Sequence, residues 1–306
     1  LKIVVTGSKG MLGSAICTRL ESFSKIDVFR LSRNEVNLTS KGAVGEYLAD
    51  VKPDLVIHAA AKVGGIQANI NEPLEFLSQN LLIDSNIILE SLSQGVPKLL
   101  YVGSSCMYPK NRPGRLIESD IMTGALESTN EGYALAKIVG ARLCEYATET
   151  MDVSYKTIIP SNLFGPGDNF NPNTSHLLAS IIRKVHSAKE QGLSFIEVWG
   201  SGEVLREFTF VEDVADWIVL SINRIEELPQ YLNLGVGEDF SVNDYYMAVL
   251  RVIGLDAELV HDLSRPEGVK RKLLDSSLAR SVAFWNPQTK LEEGIRKTYK
   301  WFLENK

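Results

Sequence analysis

Tyr133 and Lys137 stand four residues apart in Tyr133-Ala134-Leu135-Ala136-Lys137, a spacing that sets both side chains on one face of a helix. A phenol ionises near pH 10 and shuttles protons poorly at neutrality. A cation one turn away stabilises the phenolate, so Lys137 is expected to lower that value and can also hold the ribose of a nicotinamide nucleotide. Ser104 follows the apolar run Lys98–Val102, where its hydroxyl can share a substrate oxygen with Tyr133. Cys106, two residues on, sits in a loop and reads as a functional thiol, whereas Cys17 and Cys144 fall within helical stretches and read as small buried hydrophobes. His176 opens a helical stretch beside a loop rich in Pro and Asn, a place from which a side chain reaches into a cleft. His58 reads as packing, and His186 and His261 as surface or partly buried residues. No His, Cys, Asp or Glu cluster has metal-ligand spacing, so no metal is expected.

Gly7-Ser8-Lys9-Gly10-Met11-Leu12-Gly13 lies between the first apolar run and the first helical stretch. Glycines there let backbone approach a pyrophosphate and let helix pack closely on strand, while the helix N-terminus offers N–H groups to the phosphates. The spacing is G-x-x-G-x-x-G, not the G-x-G-x-x-G of many dehydrogenases. The second strand runs into Leu31-Ser32-Arg33 with no acid at its end to bond a ribose 2′-hydroxyl. Arg33 and Lys9 instead favour a 2′-phosphate, hence NADP, with solvated surface charges as the alternative.

These groups need a scaffold. Strands are expected at Lys2–Thr6, Asp27–Leu31, Leu55–His58, Lys98–Val102 and Tyr155–Ile159, with helices at Met11–Leu20, Lys41–Asp50, Glu75–Gln94 and Tyr133–Glu149 between them. The alternation predicts an α/β fold: a doubly wound, Rossmann-like parallel sheet with a smaller C-terminal α/β substrate domain. The NADP-binding domain is expected over 1–160 and the substrate domain over 161–306, with about 204–223 returning to the first. The 306 residues carry 32 basic against 38 acidic side chains, a formal charge of −6 that offers nucleic acid no footprint. No apolar run approaches the ~20 residues of a membrane span, no signal peptide is evident, and three scattered cysteines make no disulfide framework. A cytoplasmic enzyme is expected.

In their order, the glycine turn, Ser104 and the Tyr133/Lys137 pair resemble the extended short-chain dehydrogenases/reductases that act on nucleotide sugars. Longer stretches resemble the GDP-L-fucose synthase branch of that family: Ala59-Ala60-Ala61-Lys62-Val63-Gly64-Gly65-Ile66, Gly103-Ser104-Ser105-Cys106-Met107-Tyr108-Pro109-Lys110, Thr129-Asn130-Glu131-Gly132-Tyr133, Trp199-Gly200-Ser201-Gly202 and Arg206-Glu207-Phe208. The resemblance implies epimerisation of GDP-4-keto-6-deoxy-D-mannose at carbons 3 and 5 and reduction by NADPH at carbon 4, with Cys106 as base, His176 as acid, and Ser104, Tyr133 and Lys137 serving the carbonyl. It implies an NADP site that adds Ala60, Pro160, Asn162, Leu163 and His176 to the glycine turn. Lys184, Arg206 and Lys272 are then candidates for the GDP phosphates, and Trp199 and Glu267 for other substrate contacts. Gly132, Ser161, Phe164, Gly167 and Glu267 depart from the pattern, standing where proline, threonine, tyrosine, histidine and aspartate are expected. Surplus apolar residues on the helices Glu75–Gln94 and Tyr133–Glu149 suggest a homodimer, as in the family, with deep burial as the rival explanation. A related GDP-deoxysugar (for instance one leading to GDP-L-colitose), an NAD-dependent 4-epimerase and a non-catalytic NADP sensor are the competing readings.

Overall fold

The computed structural model describes every residue except Asn173, Pro266 and Glu267. In chain order the first half comprises β1 (Lys2–Thr6), α1 (Met11–Leu20), β2 (Asp27–Leu31), α2 (Lys41–Val51), β3 (Leu55–His58), α3 (Ile66–Asn71), α4 (Pro73–Ser93), β4 (Lys98–Val102), α5 (Glu131–Thr150) and β5 (Ser154–Pro160). There follow β6 (Asn162–Phe164), α6 (Leu177–Gln191), β7 (Phe195–Trp199), β8 (Leu205–Arg206), β9 (Phe208–Phe210), α7 (Val211–Ser221) and β10 (Tyr231–Leu234). The chain closes with β11 (Phe240–Ser241), α8 (Val242–Ile253), β12 (Glu258–Asp262), β13 (Arg271–Lys272), α9 (Ser277–Val282) and α10 (Leu291–Asn305).

Six parallel strands form the central sheet in the order β10-β5-β4-β3-β1-β2. The strands β1, β3 and β4 are apolar on both faces, which water would not tolerate unless both were covered. Alternate residues divide between two cores: Ile3, Val5, Leu55, Ile57 and Leu100 enter one, while Val4, Val56, Leu99 and Tyr101 enter the other. The first core is closed by α1 and α7, the second by α2, α4 and α5. The expected Rossmann-like architecture is therefore the one observed.

The chain that packs on this sheet runs beyond residue 223. After α7 lies against α1, β10 pairs with β5 as the sixth strand, setting Leu234 opposite Pro160. Trp217 and Trp285 meet edge to face in the same core, their indole N–H groups donating to the Ala283 and Gly235 carbonyls. A third core joins α6, α8 and α10 with β7, whose parallel partner is β12, and a small sheet orders β11-β8-β13. The strand pair β6–β9 sits at the crossing between these parts.

Strand order reverses between β1 and β3, so their carboxyl ends flank a crevice, the usual ligand position in such sheets. The turn after β1 fills it. Gly7 has φ +66°, and a β-carbon on it would meet the Ala59 oxygen at 2.8 Å and the Ala60 α-carbon at 2.9 Å. A β-carbon on Gly13 would overlap the Gly7 carbonyl outright, so α1 lies against the turn only because position 13 has no side chain. Gly13→Ala is therefore expected to cost about 1–3 kcal/mol of stability and to weaken dinucleotide binding. Urea unfolding and NADPH fluorescence titration measure the two, and unchanged values in both would show that the turn relaxes freely.

Candidate active site

The glycine turn leaves α1 without a side-chain cap, because its N-cap residue is Gly10, whose own N–H is spent on the Gly7 carbonyl. A close-packed turn opening onto an uncapped helix N-terminus fits the pyrophosphate of a dinucleotide. Lys9 and Arg33 both stand exposed beside it. An acid does lie near, though not at the strand's end. Glu35 folds back to accept from the Ser32 N–H (2.8 Å) and from the Ser32 hydroxyl. Those two bonds, with a smaller contribution from the charge of Lys9, hold its carboxyl below the ordinary range. Of the other expected cofactor residues, Ala60 follows β3 and its N–H donates to the Thr6 hydroxyl (3.1 Å), Pro160 ends β5, and Asn162 and Leu163 are half-buried in β6.

Lys137 is buried, 2% exposed, and its ammonium lies 3.3 Å from a carboxylate oxygen of Asp84 on α4 and 4.7 Å from the centre of the Tyr101 ring. Asp84 also accepts from the Tyr101 hydroxyl (2.5 Å) and from the His58 ring (3.0 Å). The other His58 nitrogen meets the Thr6 hydroxyl at 2.7 Å. Burial pulls the His58 pKa down against the pull of Asp84, so the ring is neutral near pH 7. A neutral ring that donates Nε2–H to Asp84 must accept at Nδ1 from Thr6, whose oxygen in turn accepts the Ala60 N–H. Burial alone would raise Asp84, but the charge of Lys137 and the bonds from His58 and Tyr101 reverse it and hold the carboxyl below its usual range. A chain of bonds thus runs from the crevice through β1, β3 and α4 to α5. His58, read as packing, is fully buried, and it links Thr6 of β1 to Asp84 of α4. Asp84 had not been singled out, although a lone acid within Leu81-Leu82-Ile83-Asp84-Ser85-Asn86-Ile87-Ile88 was a usable signal.

Tyr133 opens α5 one turn ahead of Lys137. Its pKa is raised, not lowered as expected from the lysine: burial comes first, then the negative charges of Cys106 and Asp84, against a hydrogen bond with Ser104. Lys137 is paired with Asp84 (3.3 Å), and the Asp84 charge is among those that raise the Tyr133 value. These contributions hold Tyr133 as a neutral phenol. Ser104 and Cys106 belong to a short 3-10 turn after β4, in which the Ser104 oxygen accepts the Cys106 N–H (3.2 Å). Cys106 is half-buried and its sulfur accepts from the Asn130 amide at 3.1 Å, whereas Cys17 and Cys144 are buried with pKa values pushed up by that burial. His176 is the N-cap residue of α6. Its side chain is exposed, although the bulk of nearby protein holds its pKa below the ordinary value. The loop before it reaches the crevice, since Gly65 donates to the Thr174 carbonyl (3.2 Å).

The cations expected to hold phosphates are already engaged. Lys272 pairs with Glu127 (3.5 Å), and Arg206 donates to the Leu205 and Val269 carbonyls (2.8 and 2.7 Å). A β-carbon at Gly268 would meet both the Arg206 guanidinium and Glu127, so these groups lie together. Glu207, between them in sequence and buried, clamps three segments by accepting from Gly237 (2.7 Å) and Leu274 (2.9 Å), and burial pushes its pKa up to about 7. Lys184 lies apart, donating to the Glu197 carbonyl (2.9 Å) with its charge 5.2 Å from the Trp199 ring, whose other neighbour is Arg265 at 4.7 Å. Trp199 is half-exposed and its indole N–H donates to the Glu197 carboxylate. Glu267 lies outside the described residues. Among the described residues no group of three or more His, Cys, Asp and Glu could hold a metal, and no helix is long and apolar enough to cross a membrane.

A doubly wound sheet with a glycine crevice and a Ser/Tyr/Lys set at its carboxyl edge defines a nucleotide-dependent oxidoreductase or epimerase scaffold. The chain belongs to the NAD dependent epimerase/dehydratase family, which it matches over residues 3–237. It is similar along its length to the GDP-L-colitose synthase of Yersinia pseudotuberculosis, at 43% identity over 100% of this chain and 99% of that protein. The GDP-L-fucose synthase of Azorhizobium caulinodans is 42% identical over 99% of this chain and 96% of its own. Among solved structures, a GDP-L-fucose synthetase from Naegleria fowleri bound to NADP has a TM-score of 0.88 at 26% identity, covering 99% and 93% of the two chains.

Asp84→Asn should leave the buried Lys137 ammonium without its counter-ion and destabilise the fold by about 3–5 kcal/mol. Because the folded pKa of Asp84 is depressed, the wild-type contribution is complete above the ordinary carboxylate pKa and is lost only as pH falls through the lower, folded value. The gap between variant and wild type should therefore persist at pH 5 to 8 in urea unfolding. Equal midpoints there would show that Lys137 finds another partner.

Proposed function

We propose that this enzyme converts GDP-4-keto-6-deoxy-D-mannose to GDP-L-fucose, inverting carbons 3 and 5 and reducing carbon 4 with NADPH. The observation that carries the reading is a half-buried thiol, Cys106, set close enough to the Ser104–Tyr133 pair for its charge to act on the phenol. The full-length similarity to GDP-L-fucose and GDP-L-colitose synthases and the NADP-bound neighbour support it.

Both inverted carbons are α to one carbonyl. The Cys106 thiolate takes the proton as the C–H bond breaks and an S–H bond forms, and the electron pair moves onto the carbonyl oxygen. Ser104 and Tyr133 donate hydrogen bonds to that oxygen and hold the enolate. His176, exposed at the N-terminus of α6, returns a proton to the opposite ring face. The glycine turn would hold NADPH, which when bound would supply the hydride for carbon 4. Tyr133 then gives its proton to the new alkoxide, a role suited to a phenol kept protonated by its neighbours. Lys137 holds the nucleotide ribose, Lys9 and Arg33 meet the 2′-phosphate, and Arg206, Lys272 and Lys184 serve the GDP diphosphate on exchanging their present partners, with Trp199 against the ligand.

The reading includes a homodimer in a reducing cytoplasm, where Cys106 stays a thiol. The helices α4 and α5 pack side by side, and Leu74, Leu81, Leu82 and Leu89 of the first with Val139 and Tyr146 of the second leave an apolar face exposed. A second copy would cover it. The colitose-type relative favours one further substrate, a GDP-4-keto sugar lacking a ring hydroxyl, which the same residues would process.

Incubation of each 4-keto sugar with NADPH, with NMR identification of the product, tests the assignment; reduction without inversion would overturn it. Cys106→Ser should block solvent-deuterium incorporation at carbons 3 and 5 while NADPH binding persists, and equal uptake in variant and wild type would remove Cys106 from the mechanism. Tyr133→Phe should slow reduction by about 10²-fold or more; an unchanged rate would contradict its role as donor.

A further inference from the structure

Asn130 is the N-cap residue of α5, and asparagine at that position ordinarily turns its side-chain oxygen onto an N–H of the first turn. Here it makes no such bond. The amide is diverted to Cys106: its Nδ2 lies 3.1 Å from the sulfur, a close approach for so large an acceptor. The Asn130 oxygen, in turn, is buried with no hydrogen-bond partner among the described residues. Forgoing a cap costs about 1 kcal/mol and stranding a buried acceptor costs further. Neither expense contributes to folding, so the orientation is explained by what the amide does for the thiol.

The surroundings hold Asn130 in place. Its backbone N–H donates to the Glu127 carbonyl (3.2 Å), the Glu127 carboxylate accepts from Thr129 (3.0 Å), and the same carboxylate pairs with Lys272. Asn130 therefore joins the loop carrying a candidate phosphate cation to the reacting thiol. The α5 N-terminus, which begins at Glu131, adds a positive dipole end on the same side.

We propose that Asn130 is a positioning residue for epimerisation: its amide aims the Cys106 sulfur and stabilises the thiolate that takes the substrate proton. An N–H donor bonds an anionic sulfur more strongly than a neutral thiol, so the contact favours the deprotonated state that a base requires. The charged and titratable groups around that sulfur are Tyr133 from α5, whose phenol feels its charge, and Ser104 from the turn after β4; neither is a cation. Asn130 is the side chain that donates to it among the described residues. When the proton arrives, the resulting S–H can donate to the Asn130 oxygen after a turn of the amide, which gives the stranded acceptor its use.

The proposal rests on the reading of Cys106 as the base, and two measurements separate them. Iodoacetamide alkylation of the full chain as a function of pH reads the Cys106 thiolate directly, without turnover. Cys17 and Cys144 are buried, and Cys106→Ser supplies the blank. Asn130→Ala should shift the alkylation profile to higher pH, giving about tenfold slower reaction at pH 7, the scale of one charge-assisted bond. Asn130→Asp has the same shape with a negative charge and should shift it further. Deuterium incorporation from solvent should fall in the same order, while melting temperature and NADPH affinity stay near wild type. A purely packing role would leave the alanine profile unshifted, because that substitution adds no charge, and would lower the melting temperature instead. Profiles that coincide with wild type, or an aspartate variant shifted less than the alanine one, would overturn the proposal. Should Cys106→Ser leave deuterium uptake intact, the reading of the base fails, whatever the alkylation shows.

Discussion

The buried pairing of Asp84 with Lys137 is the constraint around which the site is arranged. Two opposite charges held almost wholly away from water are tolerated only when geometry and further hydrogen bonds repay their desolvation. Here the repayment comes from four separate elements. Thr6 ends β1, His58 ends β3, Tyr101 stands in β4 and Lys137 in α5, and all are tied to the one carboxylate on α4 directly or through a neighbour. Gly140 admits the Tyr101 hydroxyl, since a β-carbon there would overlap it. The strand ends that form the crevice and the helix that carries Tyr133 are thereby held in one register.

The consequence for chemistry lies in the division of charge. Burial first, and then the charge of Asp84 beside Lys137, hold the phenol of Tyr133 protonated. In the proposed reaction, a thiol that takes up a carbon-bound proton would work beside a phenol that stays loaded. Such a pair suits a sequence in which inversion precedes reduction. The cleft's far side is governed by another buried carboxylate, Glu207, which clamps the segments bearing Arg206, Leu274 and Gly237.

Much of this was legible in the residues. The strands Lys2–Thr6, Leu55–His58 and Lys98–Val102 stand where apolar runs placed them, because a strand buried on both faces leaves a nearly uninterrupted signal. The glycine turn was legible for a similar reason: Gly7 and Gly13 are required by backbone contacts that no side chain could survive. Less was visible where partners come from distant segments. Tyr231–Leu234 joins the sheet beside β5 after an excursion of some seventy residues, and nothing in four residues announces that neighbour.

The sequence by itself determined the doubly wound scaffold, the crevice and the cast of reactive groups, since each follows from local periodicity, steric need or residue type. Only the tertiary structure decided their states. Lys137 pairs with an aspartate on another helix, His58 is a neutral link between Thr6 and that aspartate, and Asn130 gives its amide to a sulfur in place of a cap. Protonation and hydrogen-bond choice depend on burial and on partners brought from afar, and those quantities come into existence only when the chain has closed on itself.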